Sequence, residues 1–369
     1  MPSARTLRLS PRTLAAALGV KSTALPDVAP WPLAASEEDE RDAVEAIRPA
    51  VVVITGATSG VGRATAHAFA RRGAHLGLIA RGEDALYATV REVEALGGEA
   101  LAFQADVADP EQVEAAAAAV EKKFGSIDVW INNAVTSVFA PVWRASPEEM
   151  KRVTEVTYLG AAYGAMAALK RMRPRNHGTI VMVGAALAYR GMPLQSAYCA
   201  AKHAMHGFTE SLRCELMHEG SGVHLTTVHL PAVNTPQFDM ARSRLPKRAQ
   251  PVPPVFQPEV AADGILWAVT HHRRELFVGS STTLLVWGNK FAPGWTDRYL
   301  ARRGFDQQQS AERDDPRRLD NLFEPVPGDH GTHGSFEDVA HARSVHLWLT
   351  THRGVIASAA LVLLSIGAA

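Results

Sequence analysis

The sequence has few cysteines, no excess of either charge and no long apolar segment. Two cysteines, Cys199 and Cys214, are too few among 369 residues for a disulfide-stabilised fold and suit a reducing compartment, so we expect a cytoplasmic location. Lys and Arg together number 38, as do Asp and Glu, which leaves no net positive charge to attract nucleic acid. A polytopic membrane protein is excluded as well, because each spanning helix needs about 20 apolar residues.

The composition is that of a folded, enzyme-sized protein. Hydrophobic residues make up 47% of the chain and charged residues 21%, which provides material for a core and excludes a mostly disordered protein. Histidines are frequent near the end of the chain, but their spacing matches no zinc pattern and no cysteine accompanies them, so we predict no metal site. These histidines are His330, His333, His341, His346 and His352.

Four segments differ in their patterning. Residues 1–49 begin with basic residues and no acid, without a secretory cleavage site, and we expect them to form a mobile extension. Residues 50–304 carry a regular pattern of strands and helices, and residues 305–345 have the composition of an irregular polar linker. Residues 346–369 form an apolar helix candidate, of which Val355–Ala369 carries no charge. That stretch is short for a spanning helix, so weak membrane attachment and packing on the protein or a partner both stay open.

Apolar runs typical of buried strands alternate with helical stretches from Val51 onward. Alternation of this kind predicts right-handed crossovers and an α/β fold whose parallel sheet is covered by helices on both faces. The expected strands cover residues 51–55, 75–80, 100–104, 128–132, 179–183, 224–229 and 275–278.

A glycine-rich turn, Thr55-Gly56-Ala57-Thr58-Ser59-Gly60-Val61-Gly62, lies between the first predicted strand and the first predicted helix. Glycines in such a turn let backbone amides approach a pyrophosphate, and the amino end of the helix adds partial positive charge. We therefore predict a dinucleotide site that includes Gly56, Thr58, Ser59, Gly60, Val61 and Gly62.

The end of the second predicted strand indicates which dinucleotide is bound. A site selective for NAD has an acid about 20 residues after the glycines, on the ribose hydroxyl. Here Ala80 is followed by Arg81, whose guanidinium suits a 2′-phosphate, so NADP(H) is favoured over NAD(H). The alternative is that Arg81 is only an exposed residue at the start of a helix.

Tyr198 and Lys202 lie four residues apart and therefore share one face of a predicted helix. A nearby cation lowers the pKa of a phenol, which would let Tyr198 exchange a proton with a carbonyl or alcohol oxygen. An exposed helix pair is the alternative, since this spacing also occurs by chance. The expected substrate is a small carbonyl compound or alcohol.

Taken together, these motifs resemble the short-chain dehydrogenase/reductase family from about Val51 to Gly279. Further landmarks agree in order: Ala105-Asp106-Val107, Asn132-Asn133-Ala134 and Leu230-Pro231-Ala232-Val233-Asn234-Thr235. The resemblance implies a Rossmann-type doubly wound sheet of about seven strands and a homo-oligomer. It also implies that Lys202 holds the nicotinamide ribose, that Asp106 contacts the adenine, and that the cofactor site includes Val107, Asn133, Val233 and Thr235.

Two positions depart from the family pattern. Ala185 stands thirteen residues before Tyr198, where the family has a serine that binds the substrate oxygen, and Thr157 stands where it has an asparagine that steadies a relay water. Thr157 can still bind a water, whereas Ala185 offers no donor, a loss that typically costs about 10²–10³ in rate. Two hypotheses follow: an NADP(H)-dependent oxidoreductase that interconverts a carbonyl and an alcohol, or a cofactor-binding homologue whose catalysis has lapsed.

Overall fold

Residues 50–315 and 317–353 are described by the structure, a computed structural model of the chain. The expectations for residues 1–49 and for Val355–Ala369 lie outside these described residues. Within the described ranges, the predicted strands and helices are present with small differences in length.

A seven-stranded parallel sheet forms the centre of the fold, in the order β7-β6-β5-β4-β1-β2-β3. Its five inner strands are mostly apolar and buried on both faces, as the continuous apolar runs predict, whereas the edge strands β3 and β7 are partly exposed. The expected α/β class with a Rossmann-type doubly wound sheet is therefore confirmed. The strands are β1 Val51–Thr55, β2 His75–Ala80, β3 Glu99–Gln104, β4 Val129–Asn132, β5 Gly178–Ala185, β6 Val223–Leu230 and β7 Glu275–Phe277.

Helices cover both faces of the sheet, and alternate side chains of one strand supply the two cores. In β1, Val52 and Ile54 belong to the core on one face, and Val51 and Val53 to the core on the other. The helices are α1 Gly60–Ala70, α2 Glu83–Ala95, α3 Pro110–Phe124, α4 Pro147–Thr154, α5 Gly160–Met172, α6 Ser196–His218, α7 Pro258–Thr270, α8 Ser280–Phe291, α9 Pro293–Arg303 and α10 Val345–Thr351.

The sheet changes winding direction between β1 and β4, its central pair. Chain connections from these strands leave toward opposite faces, which opens a crevice at the carboxyl ends of the strands. The glycine-rich turn follows β1, and Asn133 follows β4. The topology therefore brings the predicted cofactor-binding residues to one edge of the sheet.

The segment expected to be an irregular linker, residues 305–345, lies against the sheet domain. Gln309–Arg313 pairs with Lys247–Ala249 as antiparallel strands, and Ala340–His341 pairs with Val255–Phe256 as parallel strands. We call residues 321–341 the C-terminal strap. Ion pairs such as that between Asp329 and Arg63 bind it to the domain, as does the buried side chain of Leu322.

Only the start of the expected apolar helix, residues 346–369, falls within the described ranges. α10 begins after Ser344, whose hydroxyl accepts a hydrogen bond from the amide of Leu347. None of the described helices has the length and apolarity needed to cross a bilayer.

Candidate active site

A cleft of about 520 Å³ opens at the carboxyl ends of β1, β2, β4 and β5. Two of the predicted site residues do not line it: Gly62, which lies behind the glycine-rich turn, and Thr157. The predicted residues that do line it are Gly56, Thr58, Ser59, Gly60, Val61, Arg81, Asp106, Val107, Asn133, Ala185, Tyr198, Lys202, Val233 and Thr235.

The glycine-rich turn has a shape that only glycine permits. Gly56 and Gly60 have φ angles of 65° and 52°. A Cβ atom at Gly60 would lie 2.8 Å from Cγ2 of Thr235, and one at Gly62 would lie 2.0 Å from the carbonyl oxygen of Gly56. The turn thus leads backbone amides directly to the amino end of α1, an arrangement that fits a pyrophosphate.

Asn133 holds this turn in place from β4. Its side-chain amide donates to the carbonyl oxygens of Thr55 at 3.1 Å and Gly56 at 3.0 Å. The backbone amide of Asn133 in turn donates to the hydroxyl of Thr55 at 3.0 Å. Asn133 therefore positions the turn and itself lines the cleft.

Arg81 reaches the cleft but is also bound by the C-terminal strap. Its guanidinium donates to the carbonyl oxygens of Asn321, Leu322 and Phe323. Burial lowers the pKa of Arg81, and the nearby Asp106 opposes this shift. Arg81 is thus the point at which the strap is fixed to the end of β2, a role that its position in the sequence does not reveal.

Asp106 is paired with Arg152 of α4, which the sequence analysis did not identify. The guanidinium of Arg152 donates to Asp106, and its Nε donates to the carbonyl oxygen of Leu322 at 3.0 Å. Nothing in the local sequence around Arg152 marks it, since it occupies one turn of an ordinary amphipathic helix. The end of the cleft beside β3 therefore contains an ion pair linked to the strap.

Tyr198 and Lys202 both line the cleft from α6. Lys202 Nζ donates to the carbonyl oxygen of Val183 at 2.6 Å and lies 5.7 Å from the centre of the Tyr198 ring. Burial lowers the pKa of Lys202 to about 8. Burial, with a smaller contribution from Cys199, raises the pKa of Tyr198, opposite to the direction expected from the sequence. Burial of the phenol is therefore the cause of the difference.

The two positions that depart from the family pattern have different surroundings. Ala185 ends β5 and lines the cleft without a side-chain donor. Thr157 is fully buried in a π-helical turn, Glu155–Leu159, where its hydroxyl donates to the carbonyl oxygen of Thr136 at 3.0 Å and accepts from the amide of Thr136 at 3.2 Å. Thr157 therefore fixes the backbone of the loop after β4.

The loop after β4 also places Ser137 beside the cleft. Ser137 is 4% exposed and lines the cleft, yet its Oγ has no hydrogen-bond partner in the described part of the chain. The next residue, Val138, belongs to one apolar cluster with Ala197 and Ala201, the α6 residues that precede Tyr198 and Lys202. The sequence analysis missed Ser137, because no spacing rule connects it with Tyr198.

A buried polar cluster lies on the α6 side of the sheet. His206, His229 and Glu275 offer ligand atoms within 4.8 Å of one another, a group that the sequence did not indicate. The Tyr189 hydroxyl donates to Glu275 at 2.8 Å and lies 3.3 Å from His229 Nε2. Burial lowers the pKa of His229 to about 4, so this histidine is neutral at pH 7.

Comparison with known proteins agrees with this geometry. Residues 50–246 match the sequence model of the short chain dehydrogenase family. The chain is 34% identical over 286 residues to the uncharacterized oxidoreductase YxnA of Bacillus subtilis, and the match covers 77% of this chain and 80% of that protein. The chain therefore belongs to the short-chain dehydrogenase/reductase family of oxidoreductases.

Two solved structures with bound cofactors are similar in fold. A short-chain dehydrogenase/reductase from Burkholderia phymatum, in complex with NAD, has a TM-score of 0.60 and 26% identity, over 69% of this chain and 96% of its own. L-Sorbose reductase from Gluconobacter frateurii, complexed with NADPH and L-sorbose, has a TM-score of 0.55 and 25% identity, over 62% of this chain and 94% of its own.

Proposed function

We propose that this protein is an NADP(H)-dependent oxidoreductase that interconverts a carbonyl compound and an alcohol. The observation that carries the proposal is that Tyr198 and Lys202 line the same cleft as the glycine-rich turn. A proton donor and a dinucleotide site in one cleft are what carbonyl reduction by hydride transfer needs. The related structures with bound NAD and NADPH support a nicotinamide cofactor here.

In the proposed reaction, the bound cofactor supplies the hydride. The Tyr198 hydroxyl donates a proton to the carbonyl oxygen during reduction and accepts it from the alcohol during oxidation. The Lys202 ammonium stabilises the phenolate that forms and holds the ribose hydroxyls. The Asn133 side chain keeps the pyrophosphate-binding turn in shape, and Thr157 acts on the loop that carries Ser137.

Ser137 takes the place of the missing serine as a second donor to the substrate oxygen in this proposal. Its Oγ is buried and unpaired within the described residues, and Ser137 lines the same cleft as Ala185. A buried hydroxyl without a partner costs free energy unless a ligand satisfies it. In this role, Ser137 restores part of the rate that is lost because Ala185 has no hydroxyl.

The preference for NADP(H) is part of the proposal and rests on Arg81. The guanidinium has five donor hydrogens, so the contacts with the strap carbonyls leave capacity for a 2′-phosphate. Arg81→Ala should raise the KM for NADPH at least tenfold more than the KM for NADH. Equal effects on both would mean that Arg81 acts only through the strap.

The second candidate function is binding of the cofactor with lapsed catalysis, which Ala185 favours. NADPH consumption with a panel of aldehydes and ketones separates the two functions, with wild type, Tyr198→Phe and Ala185→Ser compared. Turnover in wild type that is lost in Tyr198→Phe, while NADPH binding persists, supports the oxidoreductase. Turnover only in Ala185→Ser supports the lapsed enzyme.

We also propose a cytoplasmic homo-oligomer that uses α5 and α6. Each of these helices exposes a large apolar side chain, Met166 in α5 and Met217 in α6. Light scattering coupled to size-exclusion chromatography gives the oligomeric state. A monomer at micromolar concentration would contradict this part of the proposal.

A further inference from the structure

Five large apolar side chains are exposed on two consecutive helices, α8 and α9, beside β7. Their exposed fractions range from 42% to 77%, far above those of the core residues. We call this surface the aromatic face. It consists of Leu284 at 71%, Trp287 at 51%, Phe291 at 77%, Trp295 at 66% and Tyr299 at 42%.

The side chains of the aromatic face follow the helix period in each helix. Leu284, Trp287 and Phe291 are spaced three and four residues apart and so share one side of α8, and Trp295 and Tyr299 share one side of α9. The rings stack in pairs, with 5.5 Å between the centres of Trp287 and Phe291 and 5.6 Å between those of Trp295 and Tyr299. An apolar surface of this kind is typical of an interaction site.

The opposite sides of both helices are fixed to the protein. Thr282 of α8 and Thr296 and Leu300 of α9 are buried. Asn289 of α8 donates to the carbonyl oxygen of Tyr189 at 3.0 Å. The aromatic side chains therefore point outward because the other side already packs on the domain.

The two helices that carry the aromatic face have a net positive charge. α8 and α9 contain one acid, Asp297, which is paired with Arg190 of the domain. The two helices also contain four basic residues, and the ammonium of Lys290 lies 5.5 Å from the centre of the Trp287 ring. The basic residues are Lys290, Arg298, Arg302 and Arg303.

The same helices border the cleft. Leu285, Tyr299 and Leu300 line it, and Tyr299 also belongs to the aromatic face. The mouth of the cleft is therefore continuous with the exposed apolar surface.

We propose that α8 and α9 dock this protein on an anionic lipid surface, with the cleft mouth facing the lipid. Tryptophan and tyrosine favour the interface between lipid and water, and lysine and arginine add attraction to anionic headgroups. An extended protein partner would match the apolar side chains but would not account for the four basic residues. Delivery of an apolar carbonyl compound or alcohol from the lipid also rests on the proposed function, whereas docking does not.

Flotation with vesicles tests the docking. The full chain is mixed with vesicles of phosphatidylcholine alone, or with about 30% phosphatidylserine to supply negative charge. We expect binding to the anionic vesicles, with a blue shift in tryptophan emission, and at least tenfold weaker binding to phosphatidylcholine alone. No binding to either would overturn the proposal.

Two double variants and a shortened chain locate the contact. Trp287→Ser with Phe291→Ser should reduce binding at least tenfold, and Arg302→Gln with Arg303→Gln should remove the preference for anionic vesicles. Tyr87→Ser is the matched control, since Tyr87 is exposed on α2 near the opposite edge of the sheet. Circular dichroism and thermal unfolding check that the variants fold.

A chain that ends at Arg353 separates the docking surface from the apolar stretch Val355–Ala369. The proposal requires that the shortened chain still binds anionic vesicles. It is overturned if binding depends on Val355–Ala369 alone, or if only the shortened chain binds, which would mean that this segment covers the aromatic face. A full chain that docks without any turnover would contradict only the proposed function.

Discussion

Substitution of Ser137 most directly tests how the cleft works without a serine at position 185. If its hydroxyl binds the substrate oxygen, Ser137→Ala should lower kcat about 10²-fold, the usual effect of removing one donor to a developing oxyanion. In the Ala185→Ser background the same substitution should have a much smaller effect, because the two hydroxyls serve one oxygen.

The measurement is kcat for carbonyl reduction in the four combinations of these two positions. Ser196→Ala is a matched control, because Ser196 starts α6 without lining the cleft. Additive effects of the two substitutions would show that Ser137 acts independently of the position of Ala185.

We expect the rate of the proposed reaction to depend on pH through the charge of Lys202. Burial lowers its pKa to about 8, so the ammonium loses its proton as the pH rises through that value. We expect kcat for carbonyl reduction to fall above pH 8, and Lys202→Arg, if active, to shift that fall to higher pH because arginine keeps its charge. Lys122→Arg, on the surface of α3, should leave the profile unchanged. A profile that is flat to pH 10 would contradict a role for the charged lysine.

The turn between β1 and α1 is the element in which we expect a single substitution to have a large effect. Gly60→Ala should weaken NADPH binding and lower the free energy of unfolding, because the positive φ and the contact with Thr235 both oppose a Cβ atom. Gly73→Ala provides the control, since Gly73 also has a positive φ but nothing within 4 Å of its Cβ position.

Both variants share the backbone strain of about 1 kcal/mol, so the difference between them measures the close approach to Thr235. Calorimetric titration with NADPH and thermal unfolding provide the two readings. If Gly60→Ala binds NADPH as tightly as Gly73→Ala does, the turn is not part of the cofactor site.

Strands and helices were predictable because their apolar periodicity is repeated along each element. The strands β1 and β2 coincide with the predicted ranges, since both are buried on both faces. The strap was not predicted, because its contacts are single pairs such as Arg63 with Asp329 and backbone carbonyls such as those bonded to Arg81. Interactions of this kind do not produce a periodic pattern of residue types in a sequence.

Within the site, motif residues were predictable and their supporting partners were not. The glycine-rich turn and Tyr198 line the cleft as expected. Arg152 and Ser137 reach it only through the packing of α4 and the loop after β4. The pKa of Tyr198 is raised, whereas the sequence predicted that it is lowered. The prediction used only the local spacing to Lys202, and burial of the phenol depends on the whole fold.

At the scale of the whole molecule, the strap crosses the cofactor cleft from end to end. It bonds to Arg81 at the end of β2, to the amide of Gly60 at the glycine-rich turn and to Asn234 beyond it. Asp329 fixes its middle to Arg63, a buried guanidinium that also pairs with Glu92. We therefore expect the strap to slow the exchange of a bound cofactor.

Asp329→Asn should release NADPH up to about tenfold faster, which corresponds to about 1.4 kcal/mol lost from the closed strap. Arg63 keeps its pair with Glu92 in this variant, so α1 should stay in place. Stopped-flow displacement of NADPH measures the rate. Asp315→Asn, at an exposed acid before the strap, should release NADPH at the wild-type rate, and equal rates in all three proteins would contradict a closing role.

The position of the strap late in the chain has a consequence for biosynthesis. Every strand of the central sheet, through Glu275–Phe277, leaves the ribosome before residues 321–341 do. The sheet can therefore assemble while its cleft is still uncovered, since domains tend to fold as they emerge. A nascent chain at that stage offers the cleft to a dinucleotide without any strap to displace, so the cofactor can be enclosed as the last part of the protein is made.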